Sequence, residues 1–306
     1  MQALHITQRH PTAAGISIIN SEEPNIARLF FSETKLRVAA LTLISILVLA
    51  MKLPRFFALL SLISCGVLQV LRAQAPHVPD WALPGSSTHQ QVPPPVNFHR
   101  PAVTFAEPIG LFAGQTDIGG PLLPGSATFD AVTKSYTINS ASYNIWYTRD
   151  ELRFLWQKMS GDVSLAADVT FPNPKGYDDR KAVLIIRQSL DDDSKEIMTA
   201  LHGAGLIHLA QRPEKGANLK EDYRSKGDAA KAGESPIRLG LEKHGNFFTL
   251  FVSLKGEPMH QVGAPVELHF DAPFYVGIGF CSHVPDKSDT TILSNLVFEN
   301  SAGKVR

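Results

Sequence analysis

The chain has 306 residues and carries 29 basic and 29 acidic side chains, so it is formally neutral at pH 7 with its histidines uncharged. That balance leaves no global field to gather nucleic acid or an anionic membrane surface, and it argues against both partner classes. Of the two cysteines, Cys65 lies in an apolar N-terminal stretch and Cys281 in the body. A chain without the first has no internal disulfide and must be held by a packed core.

Residues 1–37 are polar and mixed, and 38–50 are apolar but fall short of the roughly 20 residues a spanning helix needs. Residues 51–75 carry the marks of an export signal. Lys52 and Arg55 form a basic start, 56–71 is an almost unbroken apolar run, and Ala73-Gln74-Ala75 supplies the small-x-small cleavage pattern. Met51 then serves as the start, and 1–50 is an upstream extension. Two alternatives stand beside this reading. One is an inner-membrane anchor from Val38 to Leu71, which Lys52, Pro54 and Arg55 would interrupt at a cost. The other is lipidation at Leu62-Ile63-Ser64-Cys65, although the residues after Cys65 stay apolar. The favoured signal places the protein in the periplasm or outside the cell.

Residues 76–109 form a Pro-rich linker, with Pro93-Pro94-Pro95 at its centre. Such a composition buries no core and runs as an extended spacer. From 110 to 300 the texture changes to short apolar or alternating runs between turn residues. Strands are predicted at 126–129, 135–138, 152–158, 163–171, 182–189, 196–202, 206–212, 237–243, 247–254, 274–282 and 294–300. With no long amphipathic helix, this spacing predicts an all-β antiparallel two-sheet sandwich. Leu152 to Trp156 and 247–254 alternate cleanly, so one face of each is buried. Ala182 to Ile186 is apolar on both faces and reads as a central strand covered on both sides. Residues 212–235 form one long polar insertion, read as a loop.

The order of four segments carries a resemblance: Gly161-Asp-Val-Ser-Leu-Ala-Ala-Asp-Val, Lys181-Ala-Val-Leu-Ile-Ile-Arg-Gln188, Ile237-Arg-Leu-Gly-Leu-Glu-Lys-His-Gly245 and Tyr275-Val-Gly-Ile-Gly-Phe-Cys-Ser-His283. Over about 111–298 the chain resembles the concanavalin A-like lectin/glucanase jelly roll. More narrowly it is similar to secreted bacterial proteins often labelled biopolymer transporter Tol, though it lacks the propeller repeats those proteins commonly add. The resemblance implies a jelly-roll fold and a glycan site on the concave sheet.

The residues limit the chemistry. No Glu-x-Asp-x-Glu triplet supplies a glycanase pair, and no nucleophile elbow, Walker loop, Rossmann fingerprint or His-Glu-x-x-His occurs. Asp191-Asp192-Asp193 reads as a solvated turn, with Asp191 and Asp193 as the candidate calcium ligands. His202 and His208 flank Gly203-Ala204-Gly205 and can meet across a hairpin, but two imidazoles alone do not make a zinc site. Cys281 reads as a buried small hydrophobe. Trp156, Lys158, Arg187, Gln188, His202, Gln211 and His283 are the candidate ligand-binding residues. A flat indole can stack on a sugar ring while the planar polar groups bond its hydroxyls. The structural alternatives are core positions for Trp146 and Trp156, and an ion pair of Arg187 with a carboxylate such as Glu196. The sequence thus favours an exported, non-catalytic module binding a glycan or cell-envelope polymer. Its rivals are a hydrolase or lyase using His202, His283 or Asp193, and a protein-interaction module docking through 212–235.

Overall fold

Period-two alternation around apolar cores builds almost the whole molecule from strands. A computed structural model describes residues 79–83, 86, 99–225 and 237–306. The upstream extension, the signal, the anchor alternative and most of the Pro-rich linker lie outside the described residues. Helix among the described residues is confined to a 3-10 turn, Asp80–Ala82. The strands follow in chain order: β1 Val103–Phe105, β2 Gly114–Ile118, β3 Ser126–Asp130, β4 Ser135–Ser140, β5 Ile145–Trp146, β6 Arg149–Asp150, β7 Leu152–Met159, β8 Val163–Thr170 and β9 Lys181–Arg187. They continue with β10 Glu196–His202, β11 Ile207–Arg212, β12 Lys220–Arg224, β13 Ile237–His244, β14 Phe247–Leu254, β15 His260–Glu267, β16 Phe274–Cys281 and β17 Asp289–Glu299.

Two antiparallel sheets pack as a jelly-roll sandwich, the class expected from the sequence. One runs β1-β2-β7-β16-β9-β10-β11-β12, the other β15-β14-β13-β8-β17-β4-β3, and β5 pairs only with β6. Leu184, Ile186, Ile197, Leu209 and Ile278 of the first sheet meet Leu165, Ala167, Leu239, Leu241 and Leu250 of the second in one core cluster. Each such side chain stabilises the fold by roughly 1.5–3 kcal/mol on burial.

The outward face of the eight-stranded sheet is also covered, which places the site described below. Val183, Ile185, Met198, Ala200 and Ala210 point away from the partner sheet and form a second cluster with Ile145, Phe154 and Leu219. The two-stranded β5–β6 hairpin therefore lies on the sheet as a third, local layer. Strand β9 is buried along its whole length, as its two apolar faces predicted. Its outer cover is the hairpin.

Every predicted strand is present, with ends shifted by a few residues; β17 begins at Asp289, earlier than expected. Six strands lack the expected signal. Residues 212–235 do not form a loop throughout, because Lys220–Arg224 is edge strand β12. A charged Lys-Glu-Asp-Tyr-Arg run suits an edge, where solvated side chains discourage pairing with another chain. Strand β15 is likewise an outer strand, carries a glycine at positive φ (Gly263, +71°) and pairs with β14 across a register shift.

Candidate functional site

Register brings charged residues into rows on the outward face of the eight-stranded sheet. Arg187 on β9 pairs with Glu196 on β10, which pairs in turn with Arg212 on β11. Asp150 descends from the hairpin between the two guanidinium groups. Arg212 grips it with both terminal nitrogens, Nη1 to Oδ2 at 2.7 Å and Nη2 to Oδ1 at 2.8 Å, while Arg187 Nη1 donates to Oδ2 at 2.7 Å. Arg187 Nη1 also bonds Glu196, and all four side chains are sealed from solvent. Burial alone would raise the Asp150 carboxyl, but Arg212 and Arg187 outweigh it and hold it below the ordinary carboxylate range. Glu196 goes the other way, pushed up to about 8 by burial and by the Asp150 charge. This network fastens the hairpin to the sheet.

At the far end of the same strands lies a pocket of about 180 Å³, lined by Asn144, Trp146, Tyr147, Asp179, Lys181, His202, His208 and Arg224. Lys181, His202 and His208 come from the sheet; Asn144, Trp146 and Tyr147 come from the hairpin segment. Lys181 Nζ donates to Asn144 Oδ1 at 2.6 Å. The two imidazoles meet edge to face with centroids 4.9 Å apart, and Trp146 stacks on His208 at 5.7 Å. Tyr147 sits at the hairpin tip with φ +55°, in the left-handed region that non-glycine residues rarely occupy. Its carbonyl accepts the Leu219 N–H at 2.8 Å and Arg212 Nη2 at 3.3 Å, which holds that conformation in place.

Both imidazoles are buried, and burial favours their neutral forms. His202 is pushed down to about 3 by desolvation, despite Asp179 Oδ1 lying 3.4 Å from its Nδ1. Desolvation also lowers His208, against the opposing influence of Glu221. Lys181 is lowered by burial too. His202 Nε2 and His208 Nε2 are buried with no hydrogen-bond partner among the described residues. With Asp179 taking the Nδ1 proton, His202 presents Nε2 as an acceptor; the neutral His208 ring can accept or donate.

The predicted site residues fall into separate places. Trp156 and Lys158 share the outward face, as expected, beside Tyr275; the indole meets that ring edge to face at 5.1 Å and Lys158 Nζ lies 5.1 Å over it. Trp156 Nε1 is engaged by Thr116 Oγ1 at 2.8 Å. Arg187 belongs to the sealed ion network, paired with Glu196. Gln188 clamps the Asp271 backbone through both amide atoms, each at 2.9 Å. Gln211 has the parity of Leu209, toward the partner sheet, and bonds Asp222 at 2.9 Å. His283 is fully buried against Tyr177, with centroids 5.0 Å apart and planes 5° from parallel. Only His202 of the seven lines the pocket.

The other candidates are likewise dispersed. Lys215 Nζ bridges Asp191 and Asp193, so each already has a cationic partner. Among the described residues no group of three His, Cys, Asp or Glu side chains is placed to hold a metal ion. Asp193 precedes β10 and His202 ends it, a separation on the order of 20 Å along a strand. Cys281 is buried, its thiol pushed up to about 12 by desolvation. Asn144, Trp146, Tyr147, Lys181, His208 and Arg224 complete the pocket without having been predicted as ligand-binding. A lysine opening an otherwise apolar buried strand was one readable sign, and the glycine turn that brings His208 to His202 was another.

No protein-family model matches the chain, and no curated protein matches it. Solved structures similar to it include a functionally unknown protein from Saccharomyces cerevisiae, with TM-score 0.44, 12% identity, and coverage of 66% of this chain and 97% of that one. The carbohydrate-binding module CBM66 from Bacillus subtilis aligns with TM-score 0.36 and 14% identity, over 57% of this chain and 92% of the module. An alginate lyase from Klebsiella pneumoniae aligns with TM-score 0.38 and 13% identity, over 59% of this chain and 85% of the lyase. The narrower likeness to proteins labelled biopolymer transporter Tol finds no support in these comparisons.

Proposed function

We propose that this is an exported, non-catalytic module that binds a glycan or other cell-envelope polymer, and that the ligand enters the pocket between the β5–β6 hairpin and β9–β11. The observation that carries the reading is the pair of buried Nε2 atoms on His202 and His208. Buried polar groups in folded proteins are nearly always hydrogen-bonded, and these two nitrogens, on side chains that line the pocket, can bond the hydroxyl groups of a ligand seated there. Trp146 and Tyr147 add aromatic surface of the kind that receives the apolar face of a sugar ring. A glycoside hydrolase uses two carboxyl groups flanking the scissile bond, whereas Asp179 is the one carboxylate in this lining. That difference favours binding over hydrolysis. Export rests on residues 51–75, and no described helix is long and apolar enough to cross a membrane.

The test is a glycan and polysaccharide array with the purified protein, read for both binding and product release. Binding without products is expected, with His202→Ala and His208→Ala each weakening it at least tenfold while remaining folded. A hydroxyl bond lost at a buried site costs about 1–3 kcal/mol, which sets that scale. Product release lost in His202→Ala would make the protein an enzyme. Binding that survives both substitutions would remove the pocket from the reading.

A further inference from the structure

A second concavity adjoins the pocket. It measures about 580 Å³ and is walled by two loops, with Asn173, Tyr177 and Asp179 on one side and Ser282, Val284 and Lys287 on the other. Asp179 is common to both linings. The walls are fastened to the fold and to each other. Arg180 Nη1 bonds Asp289 Oδ2 at 2.6 Å and Asn173 Nδ2 bonds Asp289 Oδ1 at 3.2 Å, tying the first loop to the start of β17. The backbone N–H groups of Gly203 and Ala204 bond the carbonyls of Arg180 and Asp178 at 3.0 and 2.9 Å. Tyr177 is stacked on buried His283. A groove held this way is preformed, and binding to it costs little ordering.

The two spaces differ in kind. At about 180 Å³ the inner pocket is smaller than the ~300–1,000 Å³ typical of drug-sized ligand sites, so it suits one ring. Its floor is Lys181, His202 and His208, its roof is the hairpin, and Arg224 stands on edge strand β12. Asp179 is the wall it shares with the groove.

Three basic groups lining the pocket face carboxylates of the protein. Arg224 Nε donates to Glu221 at 3.2 Å, His208 Nδ1 faces the same carboxylate at 3.6 Å, and His202 faces Asp179. Lys181 donates to the neutral amide of Asn144, which leaves its charge in place.

Resting on the binding reading above, we infer that the inner pocket takes the terminal unit of a glycan chain and that the 173–179/282–289 groove takes the unit next to it. The polymer is thus held by its end, with Asp179 beside the linkage between the two units. His202 and His208 bond the hydroxyls of the terminal unit, while Lys287 serves the second.

Isothermal titration with one- to four-unit ladders of 1,4-linked glucose, mannose, N-acetylglucosamine and uronate tests this with the whole protein. In at least one ladder, affinity should rise at least tenfold from one unit to two, with one protein bound per chain at every length. Lys287→Ala should lower two-unit affinity and leave one-unit affinity unchanged, whereas His202→Ala should lower both. Equal affinity for one and two units would overturn the second subsite. Stoichiometry that grows with chain length would overturn end recognition. Each of these outcomes leaves the binding reading standing. Failure of every ladder to bind would instead remove that reading itself.

Discussion

His202, His208 and Glu196 are buried groups whose surroundings set their protons in opposite directions. His202 stays neutral in the fold down to about pH 3, whereas an unfolded chain protonates it below about 6.5. Between those values the unfolded state holds more protons, so the His202 contribution to stability is present above 6.5 and is lost as pH falls. Glu196 is protonated in the fold up to about 8, whereas unfolding lets it ionise above about 4.5. Its contribution is therefore fully present below 4.5 and is lost as pH rises toward 8. Glu196→Gln imitates the protonated acid and should remove the second dependence. Urea unfolding at pH 5, 6.5 and 8 should show wild type losing stability toward pH 8 relative to the variant. Parallel pH profiles for the two proteins would refute the assigned shift.

At the scale of elements, the β5–β6 hairpin is the part that makes a pocket out of a sheet face. Two dipeptide strands have no independent stability. They are held by Ile145 in the second core cluster, by the Tyr147 carbonyl, and by Asp150 between Arg187 and Arg212. Removing Asp150 leaves both guanidinium groups buried beside Glu196 alone. Breaking such a buried network typically costs about 3–5 kcal/mol. Asp150→Ala should lose stability on that scale in urea melts and raise amide exchange across 145–150. Asp191→Ala, at an exposed Lys215 pair, should change stability by no more than about 1 kcal/mol. Asp150→Ala as stable as wild type would contradict the role given to the hairpin's anchor.

Across the whole molecule, what could be read from sequence followed the length of the pattern. Strands such as Lys181–Arg187 and Phe247–Leu254 carry enough alternating or doubly apolar residues to declare themselves. Ile145–Trp146 and Arg149–Asp150 are too short to show a period, and Lys220–Arg224 is too charged. The site followed the same division. The meeting of His202 and His208 was legible because a glycine turn fixes their hairpin. The sealing of Arg187 was legible as a pairing with Glu196, but Asp150 and Arg212 were not, since those contacts are set by a hairpin the sequence does not announce. Trp156 and Lys158 do share a face, yet they lie with Tyr275 outside the pocket that holds His202.

That division allows a direct test. Imidazole and indole resonances can be followed by nitrogen-15 NMR while a glycan selected from the array is titrated into the protein. Ligand in the pocket should shift the Nε2 signals of His202 and His208 and the Trp146 indole at saturation, leaving the Trp156 indole in place. A saturable shift at Trp156 with unmoved histidines would put the ligand on the Trp156–Tyr275 face and contradict the assignment of the pocket.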